Sequence, residues 1–547
     1  MHLTLFFIAA VIFLFAGYVF YGKMLGRIYE LNDKKPTPAH MLKDGIDHVP
    51  TGKPILLGHH FSSIAGAGPI IGPISGAMFG WLPVLLWIII GSIFLGGVHD
   101  FSSLVSSIRN KAMSLGELIK NLMGRRGKFL FLIFSWLTLV LVIAVFLELT
   151  KTSFVQSPGI ATSSILYVIL AIAMGIMLYK IKLPLLHTTL VCLIFLFAFI
   201  YVGQKFPLNQ SENFWVYALA FYCFLASVLP VWFLLQPRDY LSSFLLYASA
   251  IGGFIGIIIG GYKITYPMYT AFNISGSYLY PILFVTVACG AISGFHSLVS
   301  AGTTSKQLNK ESDAKLIGYG GMIIEGLVAV IALSTVMIIS KEKYAELIAN
   351  PLAVYANGMG LFLSKLGFSA KFGENFAILA LSTFILTTLD TATRIGRYAL
   401  SELLGEYIAI FKNKYLSTLI TITAALFLVL AKSYDLQGNL IPAWKIIWPV
   451  FGASNQLLAS LALLSATLYL ISKKKRCLIT LLPLLFMLPM TIFALLLIAV
   501  KNLRTQSPNH IIGFPSIILI ILALLLVAES IISIYRNRKG TAQKSYG

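Results

Sequence analysis

Charge is scarce in this chain. Asp, Glu, Lys and Arg make up 11% of its 547 residues, against about 25% in a soluble globular protein. That shortage excludes a water-soluble domain of this length. Cysteine is sparse too. Cys192, Cys223, Cys289 and Cys477 have no paired spacing and lie in or beside apolar runs. They exclude a disulfide framework or a cysteine-bound metal and read as small buried apolar residues. Ten-residue segments of alternating hydrophobicity are missing, which excludes a membrane β-barrel. No segment gathers the net charge of +21 into one basic domain, so no nucleic-acid partner is expected. The run Gly-Arg-Arg-Gly-Lys at 124–128 lacks the spacing of a phosphate loop. With no nucleotide-binding domain, primary pumping is not expected.

What is present is apolar. Hydrophobic residues make up 58% of the chain, and the mean hydropathy is +0.86. The sequence reads as an all-α polytopic membrane protein embedded in a lipid bilayer. About fifteen spans are predicted, at 3–22, 59–79, 81–105, 128–150, 164–180, 183–202, 214–236, 241–262, 281–303, 316–340, 374–398, 415–432, 446–471, 477–500 and 511–535. The first apolar run lacks a basic leader and a cleavage site, so it reads as a retained helix with its N-terminus outside. Alternating from there, the segments predicted inside hold 30 of the 41 Lys and Arg residues. That bias places the C-terminus in the cytoplasm. Ser-Lys-Lys-Lys-Arg at 472–476 and the basic run at 535–544 are its clearest markers.

One stretch does not suit an ordinary membrane helix: "GHHFSSIAGAGPIIGPISG" at 58–76. Pro69 and Pro73 remove backbone donors, and Gly66, Gly68 and Gly72 weaken the helix around them. Broken backbone at membrane depth persists only where protein or a cavity shelters it, and its freed groups become ligands. His59, His60, Ser62, Ser63, Gly66, Gly68 and Pro69 are therefore candidate substrate-binding residues. The two histidines are adjacent and point about 100° apart on a helix, which makes no metal site. A second break is predicted at Pro230 in "LASVLPVWFLLQPRDY" (225–240), beside Gln236 and ended by Pro237. Five spans separate the two, so they run in opposite directions, as in an inverted repeat. The expected division is a first helix and loop (1–58), repeat one (59–202), repeat two (214–398) and accessory helices (399–547).

Ionisable groups at bilayer depth are functional candidates, because each costs roughly 2.5–3.5 kcal/mol to insert. Asp390 either pairs with Arg394, four residues on along one helix face, or accepts a proton. Glu325 has no basic neighbour in its own helix and must be protonated or find a partner elsewhere. His296 is either a buried hydrogen-bonder or a titrating group. The three are the candidate proton-coupling residues. His99 and Asp100 read as an orienting pair or part of a gate. Asn455 and Gln456 read as inter-helix bonding groups.

Five segments, "GHHFSSIAGAGPIIGPI" (58–74), "LPVWFLLQPRDYLSSF" (229–244), "GFHSLVSAGTTSKQL" (294–308), "DTATRIGRY" (390–398) and "WPVFGASNQLLA" (448–459), resemble in order the signature segments of the carbon starvation protein A family. The resemblance covers about residues 3–500. It implies an inner-membrane transporter of peptides or, as in close relatives, a proton-coupled carrier of pyruvate. It also implies a LeuT-like five-plus-five inverted-repeat core. In that fold the eighth core helix offers hydroxyls to a cation beside the first broken helix. The resemblance thus suggests Ser300, Thr303 and Thr304 as cation or structural ligands near the carbonyls of 63–67. The expected function is secondary active import of a small molecule, driven by H⁺ or by Na⁺, with no cofactor and no metal. The alternatives are a channel, for which no selectivity ring is present, and an intramembrane enzyme, for which no HExxH pattern or serine base is present. The sequence gives no oligomeric state.

Overall fold

The computed structural model describes residues 1–45, 47–274, 276–431, 433–434, 440–441, 443–504 and 510–544. The side chains of the basic run at 536–544 lie outside the described residues. Among the described residues, eleven helices are long and apolar enough to cross a membrane. In chain order the elements are α1 (Leu3–Tyr29), α2 (Lys53–Ile64), α3 (Gly68–Phe79), α4 (Trp81–Arg109), α5 (Leu115–Gln156), α6 (Pro158–Lys180), α7 (Leu185–Lys205), α8 (Glu212–Val228) and α9 (Leu235–Gly260). They continue with α10 (Leu279–Thr286), α11 (Gly294–Gly302), α12 (Lys315–Met337), α13 (Pro351–Ser364), α14 (Ala370–Leu404), α15 (Lys414–Leu430), α16 (Ala443–Ser472), α17 (Leu478–Leu503) and α18 (His510–Lys544).

Glycine and proline set several of these boundaries. Pro69 falls in the first turn of α3, where a missing N–H costs nothing. Gly80 makes the turn from α3 to α4 at φ +103°, and a Cβ there would meet the Met268 carbonyl at 2.5 Å. Gly124, at φ +85°, kinks α5 between a short first segment and the part that carries Arg125, Arg126 and the apolar span. A wide π turn interrupts α4 at Gly91–Gly96, and another opens α12 at Lys315–Gly320.

The broken pair α2/α3 lies at the centre. α9 packs along α2, and α12 packs on α3. The pair α10/α11 faces it, with α4 and α16 against α11. The long helices α5 and α14 cross beside both and make the most extensive helix contact in the molecule. α8 and α15 both pack against α5 and α14, while α6 and α7 form a hairpin held mainly by α9. One face carries the 30–53, 109–128, 306–315 and 472–476 connections and is called the basic face here. On the opposite face a short antiparallel hairpin pairs Asn273–Ile274 with Ser277–Tyr278, and His2 bridges to Lys263.

Two expectations need correcting. Pro230 does not break one span near its middle. It lies in the connection between α8 and α9, which run in opposite directions. Pro237 opens α9 instead of ending a helix, since a first-turn proline lacks only an N–H that has no partner there. The second interrupted span is α10/α11, broken at 287–293. No proline marks that break. Partner side chains take over its backbone groups. Ser92 donates to the Gly290 carbonyl at 3.0 Å, Gln456 to the Ile292 carbonyl at 3.1 Å, and the Phe295 N–H donates to Asn455 at 2.8 Å.

Candidate functional site

The first break frees carbonyls that α14 then engages. Thr387 donates to the Ser62 carbonyl at 2.7 Å and Thr388 to the Ser63 carbonyl at 3.1 Å. These α14 hydroxyls occupy the position expected for Ser300, Thr303 and Thr304, which contact none of the 63–67 carbonyls by side-chain hydrogen bonds among the described residues. Thr303 bonds back to the Val299 carbonyl of its own helix, and Thr304 Oγ1 lies 2.8 Å from His60 Nδ1. Ser300 is buried with no partner among the described residues.

On one side of α2 lies a fully buried acid–base network. Arg238 opens α9, is 2% exposed, and bridges two carboxylates. It donates to Asp239 Oδ1 at 2.9 Å and also to Asp390 Oδ2. Tyr222 of α8 donates to the same Asp390 oxygen at 2.6 Å. His59 Nδ1 lies 2.7 Å from Asp239 Oδ2, Ser63 donates to that oxygen at 3.4 Å, and Ser62 donates to the Asp239 carbonyl at 2.9 Å. The expected Asp390–Arg394 pair does not form. Arg394 turns instead to the unsatisfied carbonyls at the end of α8, donating to Ala226 at 2.9 Å and to Leu229, and lies 3.3 Å from Asp47. A cation is favoured at a helix C-terminus, which draws Arg394 away from the nearer carboxylate. Arg238, in the first turn of α9, is the centre of the network.

A second network lies on the other side of α2. His296 of α11 reaches Asp100 Oδ2 at 2.9 Å through Nδ1 and Glu325 Oε2 at 3.3 Å through Nε2. His99 Nδ1 lies 2.7 Å from Asp100 Oδ1, so the predicted orienting pair is formed and is joined to His296. All four side chains are at most 1% exposed. His60 faces this side, and a Cβ at Gly321 would lie 3.2 Å from its ring. Glu325 therefore finds its partner on another helix. The adjacent histidines on α2 thus face different sides, His59 bonded into the first network and His60 to Thr304 beside the second, as their angular separation requires. Among the described residues no group of three or more His, Cys, Asp or Glu is arranged to hold a metal ion.

The glycines of the first break serve close approach. A Cβ at Gly68 would fall 2.4 Å from Cys289 Sγ, within the second break, and one at Gly66 would fall 2.9 Å from Thr388 Oγ1. The two broken segments are therefore in direct contact. Gln236 stitches the basic face, donating to Thr51 at 3.1 Å and to Gln307, and accepting from Tyr179 at 2.8 Å. A cavity of about 210 Å³ lies between α5, α11 and α14 toward the basic face, reaching Leu298, Gly302 and Ile395. Sequence reasoning singled out His59, His60, Asp390, His296 and Glu325. It missed Tyr222 and Asp239, which carry no local signal beyond the charged pair Arg238-Asp239 following Pro237.

Many apolar helices around two opposed breaks, with ionisable side chains buried beside them, define a multi-pass membrane protein of transporter type. The chain belongs to the family described as carbon starvation protein CstA, whose profile matches residues 2–353 and 347–494. It is 32% identical to the peptide transporter CstA of Bacillus subtilis over 96% of each chain. It is 34% identical to the peptide transporter CstA of Escherichia coli, over 86% of this chain and 77% of that one. It is also 32% identical to the pyruvate/proton symporter BtsT of Escherichia coli, over 86% of this chain and 77% of that one. Among solved structures, the manganese transporter of Eremococcus coleocola aligns with 91% of this chain and 99% of its own, at TM-score 0.48 and 14% identity.

Proposed function

We propose that this chain is a proton-coupled secondary carrier that imports small peptides or a short carboxylate such as pyruvate. The observation that carries the reading is the buried chain His59–Asp239–Arg238–Asp390, set against the broken backbone at 62–67. Two carboxylates sharing one guanidinium hold a charge balance that one proton changes. Asp390, His296 and Glu325 are the proposed proton carriers, and Asp239 joins them. The solute site lies between the two breaks, at His59, His60, Ser62, Ser63, Gly66, Gly68 and Pro69. Protons are favoured over sodium because α14 hydroxyls already engage the Ser62 and Ser63 carbonyls, and Arg238 supplies the positive charge beside them. With a zwitterionic peptide, one co-transported proton is one charge, and one charge crossing 100 mV contributes about 2.3 kcal/mol, enough for roughly fiftyfold accumulation.

The core is read as two inverted halves, 53–260 and 279–472. Contacts made by the first half have counterparts made by the second: α9 on α2 with α16 on α10, α12 on α3 with α4 on α11, and α16 on α5 with α9 on α14. This replaces the division at 59–202 and 214–398, because the α6–α7 hairpin is peripheral and α8 and α9 complete the first half. With fifteen crossings the N-terminus is outside and the basic face is cytoplasmic, in the plasma membrane. The test is uptake of labelled pyruvate and a labelled dipeptide into proteoliposomes, with pH and sodium gradients imposed separately. Accumulation of either solute that follows the pH gradient alone is expected. Accumulation that needs sodium, or uptake of neither solute, overturns the reading.

A further inference from the structure

A polar cavity of about 510 Å³ lies on the basic face, and an apolar groove of about 660 Å³ runs along the lipid-facing side. The same elements wall both. α4 gives Arg109 to the cavity and Trp87 and Phe94 to the groove. The turn from α16 to α17 gives Lys473 and Lys475 to the cavity and, three residues on, Leu478 to the groove. α1 lines the groove with Tyr21, and the residue after it, Glu30, lines the cavity.

The cavity has spare positive charge. Arg109 pairs with Glu311 at 2.6 Å and Lys475 with Glu30 at 2.9 Å. Lys35 and Lys473 also line it and have no carboxylate partner among the described residues. The groove extends along α4 from Pro83 to Leu95, about 18 Å at 1.5 Å per residue. One leaflet of hydrocarbon is about 15 Å deep. A net-cationic polar pocket on the basic face, three residues along the chain from an apolar groove of acyl-chain length at Lys475 and Leu478, matches a solute with an anion at one end and a chain at the other.

We propose that these two concavities form one binding site for an anionic phospholipid, with its phosphate on Lys35 and Lys473 and one acyl chain in the groove. Leu279, Leu283 and Phe284 of α10 also line the groove. The bound chain therefore presses on the outer half of the second broken helix, and the lipid adjusts the backbone at 287–293.

Native mass spectrometry of the full-length protein tests this with phosphatidylglycerol, phosphatidylcholine of matched chains, and soluble glycerol phosphate. Phosphatidylglycerol is expected to bind at least tenfold more tightly than either of the others. Lys35→Ala and Lys473→Ala each weaken it about fivefold, whereas Lys473→Arg retains it. Leu482→Trp, which fills the groove, weakens phosphatidylglycerol binding as well. Equal binding of the two lipids, unchanged binding in the lysine variants, or equal loss in Lys473→Arg overturns the proposal. Glycerol phosphate binding as tightly as phosphatidylglycerol makes the cavity a soluble-anion site and also overturns it.

Discussion

Arg238 divides its donors between Asp239 and Asp390, and that division sets what substitutions at either carboxylate do. Asp390→Asn keeps the shape and leaves Arg238 paired with Asp239. The variant is expected to fold and to exchange substrate across the membrane, but to lose gradient-driven accumulation. If it accumulates substrate normally in proteoliposomes, Asp390 is structural. Removing the guanidinium is harsher, because it strands two buried anions. Arg238→Met is expected to cost about 3–5 kcal/mol of stability, with the Asp390 share returned in Arg238→Met/Asp390→Leu, since apolar groups replace a buried pair at little net cost, while Asp239 keeps His59 as its partner. Thermal unfolding in detergent measures both. Arg394 is the contrast. Its bonds cap α8, so Arg394→Ala lowers the melting temperature while the proton dependence of uptake stays unchanged.

At the level of elements, contact between the two breaks rests on a missing side chain. Gly68→Ala drives a methyl into Cys289 and is expected to cost about 1–3 kcal/mol. Cys289→Gly in the same chain removes both clashing atoms and restores stability, which a melting curve reads directly. The segment before α2 is tied to α14 by Asp47, which accepts from Tyr398 at 2.8 Å and faces Arg394. Burial alone pushes the Asp47 carboxyl up, but Lys306, Arg394, the Tyr398 hydroxyl and Arg397 together hold it below the ordinary range. Its contribution is therefore present above about pH 4 and lost as pH falls below that. Asp47→Asn should remove that acid-side loss from the stability profile of the protein.

The first break was legible at this scale because Pro69, Pro73 and the surrounding glycines carry their own chemistry. The second was not. Residues 281–303 read as one apolar span, and the interruption is made by Ser92, Asn455 and Gln456, far away in the chain. The same holds for the site. His59 and Asp390 stand out as polar residues in apolar sequence, but their partners depend on packing. Arg394 sits four residues from Asp390, yet the end of α8 offers it unsatisfied carbonyls. Local spacing records proximity along a helix and is silent about what a neighbouring helix presents.

For the whole molecule, orientation is open to a direct check. The connection between α7 and α8 and the one before α12 lie on opposite faces. Asn209→Cys should react in intact cells with a membrane-impermeant maleimide, and Lys310→Cys should react only after the cells are opened. The reverse pattern inverts the proposed topology. The adjacent histidines of α2 have a consequence for how the assembly moves. One is fastened to α9 through Asp239 and the other to the turn after α11 through Thr304, so the two rings hold this half-helix on two flanks. To tilt, it must release both, together with the α14 hydroxyls on the Ser62 and Ser63 carbonyls. The arrangement is a two-key interlock: travel of α2 demands that both fastenings yield together, and an event at a single flank leaves the door shut.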